Sequence, residues 1–158
     1  LLAGEALFCG YYLNELLMHL LPREDAHAKL FAQYAQMLSR LADDTGAGER
    51  EADLRRFEKA LLQELGYGLM LTHDSSGKEI IPAAHYTYRM EQGPVRLEHA
   101  GAAAQVVSGT TLLDLAAEDF SDPRSRSEAK QLMRMLIAYY LGGRELETRK
   151  IFKELQEP

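Results

Sequence analysis

Thiols and positive charge are both scarce in this chain, and each scarcity removes a class of function. The 158 residues contain one cysteine, Cys9. A single thiol can neither close an internal disulfide nor build a thiolate metal cage, and its place in an apolar helical run predicts a buried, inert side chain. Lysine and arginine total 18 against 24 acids, giving a net charge of −6 and a pI near 5.4. Nothing in the overall field therefore draws the chain to a polyanion, and nucleic-acid binding would need a local basic patch working against it. Uninterrupted apolar runs are missing too. Leu1 to Leu21 approaches the length of a membrane span, but Glu5, Asn14, Glu15 and His19 break it, each costly in hydrocarbon. The same stretch has no basic n-region and no small-residue cleavage site, so a cytoplasmic location is expected. There is no internal repeat and no low-complexity tract, which excludes a solenoid.

What is present is ordinary for a folded protein. At 46% hydrophobic residues, the chain can bury a core without staples, and a single helical domain over residues 1–158 is the expectation. Residue 1 is leucine and the chain opens directly in a helical pattern, which leads us to expect a fragment with sequence missing upstream.

The periodicity predicts a mainly α fold, a bundle-like arrangement of about six helices. The first, residues 2 to 21, is apolar almost all the way round and should be surrounded by others. Pro22 closes it. A second begins near Asp25 with the stripe Leu30, Tyr34, Met37, Leu38 and Leu41. Asp43 to Gly48 reads as a connection. The third helix carries Leu54, Phe57, Leu61 and Leu65 on one stripe and stops at Gly66, which directs Arg55 and Arg56 sideways or outward. From about residue 67 to 107 the helical period disappears, and a small β or irregular insertion is expected there, with Tyr86 to Tyr88 and Val95 to Leu97 flanking a turn at Glu91 to Pro94. Ser108 should cap a short helix through Leu115, and Asp122-Pro123 should open a longer one with Ala129, Leu132, Met133, Leu136, Ile137 and Tyr140 inward, stopped by Gly142-Gly143. A last helix should start near Thr148 and bury Ile151, Phe152 and Leu155.

No catalytic signature emerges. His73, Asp74, His85 and His99 gather in the insertion, but their spacing fits no standard zinc pattern. Ser75, Ser76 and Ser108 have no nucleophile elbow around them. Gly66-Tyr67-Gly68 and Gly142-Gly143 follow helices, so they are helix stops and not phosphate loops. A metal-assisted or acid/base enzyme built on His73, His85 and His99 stands as one alternative, and a helical scaffold without a ligand of its own as another.

The basic residues carry the better lead. Arg126, Lys130 and Arg134 recur every four residues and form a ridge on the fifth helix. Arg55 and Arg56 sit together on the third, and Arg144, Arg149 and Lys150 come late in the chain. Intrahelical pairing, Arg55 with Glu51 or Glu58 and Arg56 with Asp53, is the plain reading of the third-helix pair. Such exposed pairs contribute only about 0.2–0.5 kcal/mol each, so they do not forbid recruitment by an acidic partner.

Three segments now join into one pattern: Gly10 to Leu17 (Gly-Tyr-Tyr-Leu-Asn-Glu-Leu-Leu), Leu54-Arg55-Arg56-Phe57-Glu58 through Leu65-Gly66-Tyr67-Gly68, and Arg134-Met135 through Tyr140-Leu141-Gly142-Gly143-Arg144. Their order and separations resemble the helical C-terminal part of the RecO family of bacterial DNA repair proteins, over nearly the whole chain. The resemblance implies a non-enzymatic recombination mediator that needs no cofactor. In that family an N-terminal OB-fold domain binds single-stranded DNA, and many relatives hold zinc through four cysteines in the inserted segment. Here the segment from Thr72 to Gly93 has no cysteine, so the resemblance implies a zinc-free member without its barrel. Its implied partners are single-stranded DNA-binding protein (SSB), RecR and, indirectly, RecA, with no membrane. The helical domain would receive the acidic C-terminal tail of SSB, Arg55 taking the terminal carboxylate, with Arg56, Lys130 and Arg134 serving the upstream acids. Thr148 stands where the family has serine before arginine, a change that keeps helix-capping ability.

Overall fold

The computed structural model describes residues 2–43 and 46–156 and contains six α-helices and three short strands among them. Two compact units divide the chain, one formed by residues 1–65 and 137–158 and the other by residues 66–136. The mainly α fold with a small β insertion is as expected.

The first unit contains α1 (Gly4–Leu20), α2 (Ala28–Ala42), α3 (Ala47–Glu64), the end of α5 (Pro123–Tyr140) and α6 (Glu147–Gln156). α1 packs on α2 and α6, and α2 on α3. Leu13 and Leu16 of α1, Leu30, Met37 and Leu41 of α2, and Phe57, Leu61 and Leu62 of α3 are buried, so the amphipathic pattern of α2 falls where the sequence puts it. α2 begins at Ala28 instead of near Asp25, and Asp44 and Thr45 of the expected connection lie outside the described residues. Gly46, Gly66, Gly142 and Gly143 all have positive φ, and the last three end helices as the sequence indicates.

Two expectations fail in this unit. α1 is not enclosed: Leu7, Tyr11 and Met18 line an exposed face, Met18 with 81% of its surface open. α6 does not bury all its apolar residues either, since Ile151 and Leu155 are exposed and only Phe152 turns in, edge-on against Phe8 with centroids 5.8 Å apart. An apolar stripe tells which face of a helix prefers burial. It does not supply a neighbour to cover it.

The second unit holds β1 (His85–Arg89), β2 (Gly93–Leu97), β3 (Val107–Ser108), α4 (Gly109–Ala117) and α5 up to Leu136. β1 is central and antiparallel to both neighbours, with Tyr86 opposite Arg96 on one side and Val107 on the other. The hairpin joins the two runs expected to flank a turn, and Glu91 and Gly93 take the positive φ values that close it. Tyr86 and Tyr88 are buried, and their hydroxyls accept from the backbone N–H of Ile81 (2.9 Å) and Met70 (3.1 Å), so loop backbone is satisfied by side chains of the sheet. Ser108 caps α4 by accepting from Thr111 N at 3.2 Å, and Asp122 opens α5 by accepting from Ser125 N at 2.9 Å, both as the sequence signals.

Chain crossing at Gly109 is unusually close. Its N–H donates to the Ala84 carbonyl at 2.8 Å, and an added Cβ would lie 2.0 Å from the Ile81 carbonyl oxygen. Because the obstacle is backbone, it cannot swing aside. Gly109→Ala should therefore destabilise this unit by about 1–3 kcal/mol, read as a lower urea midpoint. Gly68→Ala, where a methyl meets open space, should stay within about 0.5 kcal/mol of wild type.

Candidate partner-binding site

α3 positions the two arginines that carry the strongest family motif. Residues on either side of its apolar stripe, Ala52, Asp53, Arg55, Glu58 and Leu62, are buried as well, so α3 is covered over much of its circumference. Arg55 consequently does not point outward, contrary to expectation: it is 7% exposed, beside a Glu58 that is 1% exposed. Counting only apolar residues hid this, because a buried arginine and glutamate three positions apart can satisfy each other.

Arg55 NH2 donates to Glu58 Oε1 at 3.0 Å, and Nε lies 2.9 Å from Oε2 as an ion pair too poorly angled for a hydrogen bond. Tyr12, one of the residues of the first motif, donates its hydroxyl to Glu58 Oε1 at 2.6 Å from α1. Burial first, and then the neighbouring Glu58 charge, push the Tyr12 phenol well above its usual range, which keeps it a neutral donor. Arg55 NH1 is buried and has no hydrogen-bond partner among the described residues. One edge of the guanidinium is held, and one nitrogen is left to receive an acceptor. Neither Tyr12 nor the burial of Glu58 was singled out from sequence; only the reach of Arg55 to Glu58 was legible.

Arg56 is differently placed, 30% exposed, with NH1 2.9 Å from both Glu49 Oε1 and Asp53 Oδ1. Asp53 is itself buried and also receives Arg40 from α2. Lys130 and Arg134 belong to the second unit, on successive turns of α5, where Lys130 is half-buried and Arg134 exposed. The structure thus brings Arg55 and Arg56 together on one helix, and Lys130 and Arg134 together on another.

In the insertion, the backbone of His73 pairs with that of Glu79 in an isolated antiparallel bridge and its ring bonds Thr72, while His85 lies in β1 and His99 precedes a short 3-10 turn. Asp74 is committed to a turn, its Oδ1 accepting from Ser76 N (2.9 Å), Ser76 Oγ (2.7 Å) and Lys78 N (3.1 Å). Among the described residues no three histidine, cysteine, aspartate or glutamate side chains gather closely enough to hold a metal ion. Nor is any described helix long and apolar enough to cross a membrane.

One further carboxylate organises the first unit. Glu15 of α1 accepts from Glu147 N at 2.6 Å, from Thr148 N at 3.0 Å and from the Thr148 hydroxyl, supplying the first turn of α6 with acceptors from outside its own segment. Burial pushes the Glu15 carboxyl up, but the bonds from Thr148 and Glu147 together outweigh it and hold it below its ordinary value. A depressed carboxylate stabilises the fold above its unfolded pKa of about 4.3 and loses that contribution as pH falls through the lower folded value. Amide exchange in α6 should therefore accelerate in that acidic window relative to α3. Glu15→Gln should weaken α6 by about 1–2 kcal/mol at pH 7 and flatten the pH dependence.

Comparison with known proteins adds the family. The profile described as Recombination protein O C terminal matches residues 1–150. The DNA repair protein RecO of Dechloromonas aromatica (strain RCB) is 75% identical over 157 residues, covering 99% of this chain and 65% of that protein. The DNA repair protein RecO of Aromatoleum aromaticum (strain DSM 19018 / LMG 30748 / EbN1) is 50% identical over 158 residues, covering 99% of this chain and 64% of its own length. That of Azoarcus sp. (strain BH72) is 49% identical over 162 residues, with 99% and 65% covered. The chain spans just under two thirds of the length of these relatives. A profile match that runs from α1 into α6, joined to identities of this size, makes the chain a member of the RecO family, corresponding to its C-terminal part.

Proposed function

We propose that this chain is a non-enzymatic interaction domain of a DNA repair and recombination mediator, and that it receives the acidic C-terminal tail of SSB, supporting RecR- and RecA-dependent loading on single-stranded DNA. Family membership supports the mediator role. The observation that carries the tail reading is the half-satisfied guanidinium of Arg55: Glu58 and Tyr12 fix its plane, and NH1 remains a buried donor without an acceptor. A terminal carboxylate is a ligand such a donor selects, through a charge-assisted bond in a site of low polarity, while half-buried Leu54 beside it offers apolar contact. Arg56 serves an acid upstream in the tail. Lys130 and Arg134 form a basic ridge on the other unit, proposed to attract upstream acids as well.

The test is titration calorimetry with a peptide that carries several acids and ends in an apolar residue with a free carboxylate. A charge-assisted bond contributes about 1.5–3 kcal/mol, so Arg55→Ala should weaken binding by roughly one to two decades at 1.4 kcal/mol per decade. Arg55→Lys should restore only part of it, because an ammonium lacks the planar fork. Removing one member of a buried pair threatens the fold, so the double variant Arg55→Gln/Glu58→Gln, which orphans neither charge, provides the folded control and should also bind poorly. Arg134→Glu tests the ridge separately, with a loss smaller than that of Arg55→Ala expected at physiological salt. Equal binding by wild type and folded Arg55 variants would remove Arg55 from the site.

A further inference from the structure

A partner's carboxylate cannot meet the guanidinium of a side chain only 8% exposed unless something moves, and the structure indicates which element. α6 packs on the face of α1 that carries Phe8, Tyr12 and Glu15: Phe8 meets Phe152, Glu15 meets Glu147 and Thr148, and Tyr12, between them at helical spacing, holds Glu58 beside Arg55.

The hold on α6 is thin. It has ten residues, too few for a helix to persist in water on its own. Among the described residues its ring contact is the edge of Phe152 on Phe8, while Ile151 and Leu155 remain 47% and 66% exposed. The polar attachment is the Glu15 carboxylate at its first turn, supported just upstream by Arg144 NH1 donating to His19 Nδ1 at 2.8 Å. Leu146, 2% exposed, anchors the chain immediately before the helix and gives it a pivot. An element with few buried contacts and one concentrated polar latch opens locally before the rest of its unit unfolds.

We propose that α6 is a strap over the Arg55 guanidinium, latched by Glu15 at Glu147 and Thr148, and that release of the latch gives an anionic partner access to NH1. Only the identity of the partner rests on the tail reading above; covering and release of Arg55 do not depend on it. The arrangement makes Glu15 an internal stand-in: a carboxylate of the chain's own holds the strap closed until another carboxylate is bound beneath it.

Phenylglyoxal, which modifies accessible guanidinium groups, tests this without any peptide, with rates at each arginine read by fragment mass spectrometry. Arg134, exposed on α5, is the internal reference. In wild type Arg55 should react at least tenfold more slowly than Arg134. In Glu15→Ala the Arg55 rate should rise about tenfold while Arg134 is unchanged, α6 amides exchange faster and α3 amides do not. Faster exchange in α6 with no gain at Arg55 would show that the helix does not cover the arginine, and unaltered exchange in α6 would show that Glu15 is not the latch. Either result overturns the proposal. Should Glu15→Ala loosen α3 as well, Thr148→Val removes one hydroxyl alone and should raise the Arg55 rate about threefold, with no rise counting against the strap. Calorimetry on the same variants separates the two readings: released Arg55 with no tail binding in any variant sinks the tail and leaves the strap.

Discussion

Glu58 sets the terms on which the first unit is built. A carboxylate with 1% exposure costs several kcal/mol to desolvate, and that cost is tolerable only with charge and hydrogen bonds supplied on the spot. Arg55 supplies the charge from the preceding turn of the same helix, and Tyr12 the hydrogen bond from α1. One turn earlier, buried Asp53 repeats the device toward α2, taking Arg40 from that helix and Arg56 from its own. α3 thus faces its neighbours with two buried acids, each joined to one of them. Removing any single member would orphan another, so these contacts constrain which helix lies beside α3 more than they add net stability.

The second unit applies the same logic. Glu128 of α5 accepts from Ser108 N at 2.8 Å, from the Thr111 hydroxyl at 2.7 Å and from Arg124 Nε at 2.9 Å, linking the start of α4 to α5. The Asp74 side chain braces the turn from Thr72 to Ile80, which backbone bonds such as Ile80 N to the Thr72 carbonyl (2.9 Å) also close, and the turn is pinned to β2 by Ser75 N donating to the Pro94 carbonyl at 2.7 Å. Carboxylates bonded to backbone N–H groups can hold a short irregular segment in shape, provided each donor they satisfy would otherwise be buried without a partner.

Elements whose cause is local were legible from the sequence. The Ser108 and Asp122 caps, the glycine stops after α3 and α5, and the Tyr86 to Leu97 hairpin rest on backbone chemistry within a few residues. The α2 stripe also held, because its period matches its burial. Burial of Arg55 was not legible, since it depends on Tyr12, 43 positions away in sequence by its number, reaching the same glutamate from another helix. The open faces of α1 and α6 were missed for the converse reason: residues such as Met18 and Leu155 have the preference for burial, but topology gives them nothing to pack on. For the candidate site, the motif singled out Arg55, and reading its apolar stripe alone misjudged its accessibility.

That misjudgement changes the physics of recognition. An exposed arginine on a chain of net charge −6 would compete with its own acidic surroundings and with salt for any acidic ligand. A buried guanidinium escapes most of that screening, and its selectivity comes from geometry at short range. Glu58 occupies the edge formed by Nε and NH2, so an incoming acceptor can take NH1 without first breaking the resident ion pair. On the proposed reading the resident acid is a positioning group: it fixes the plane of the fork before a ligand arrives, so less rotamer entropy would be lost on binding. An acidic protein can in this way present one well-defined cationic contact without a basic surface, and a ligand that offers only diffuse negative charge gains little from it.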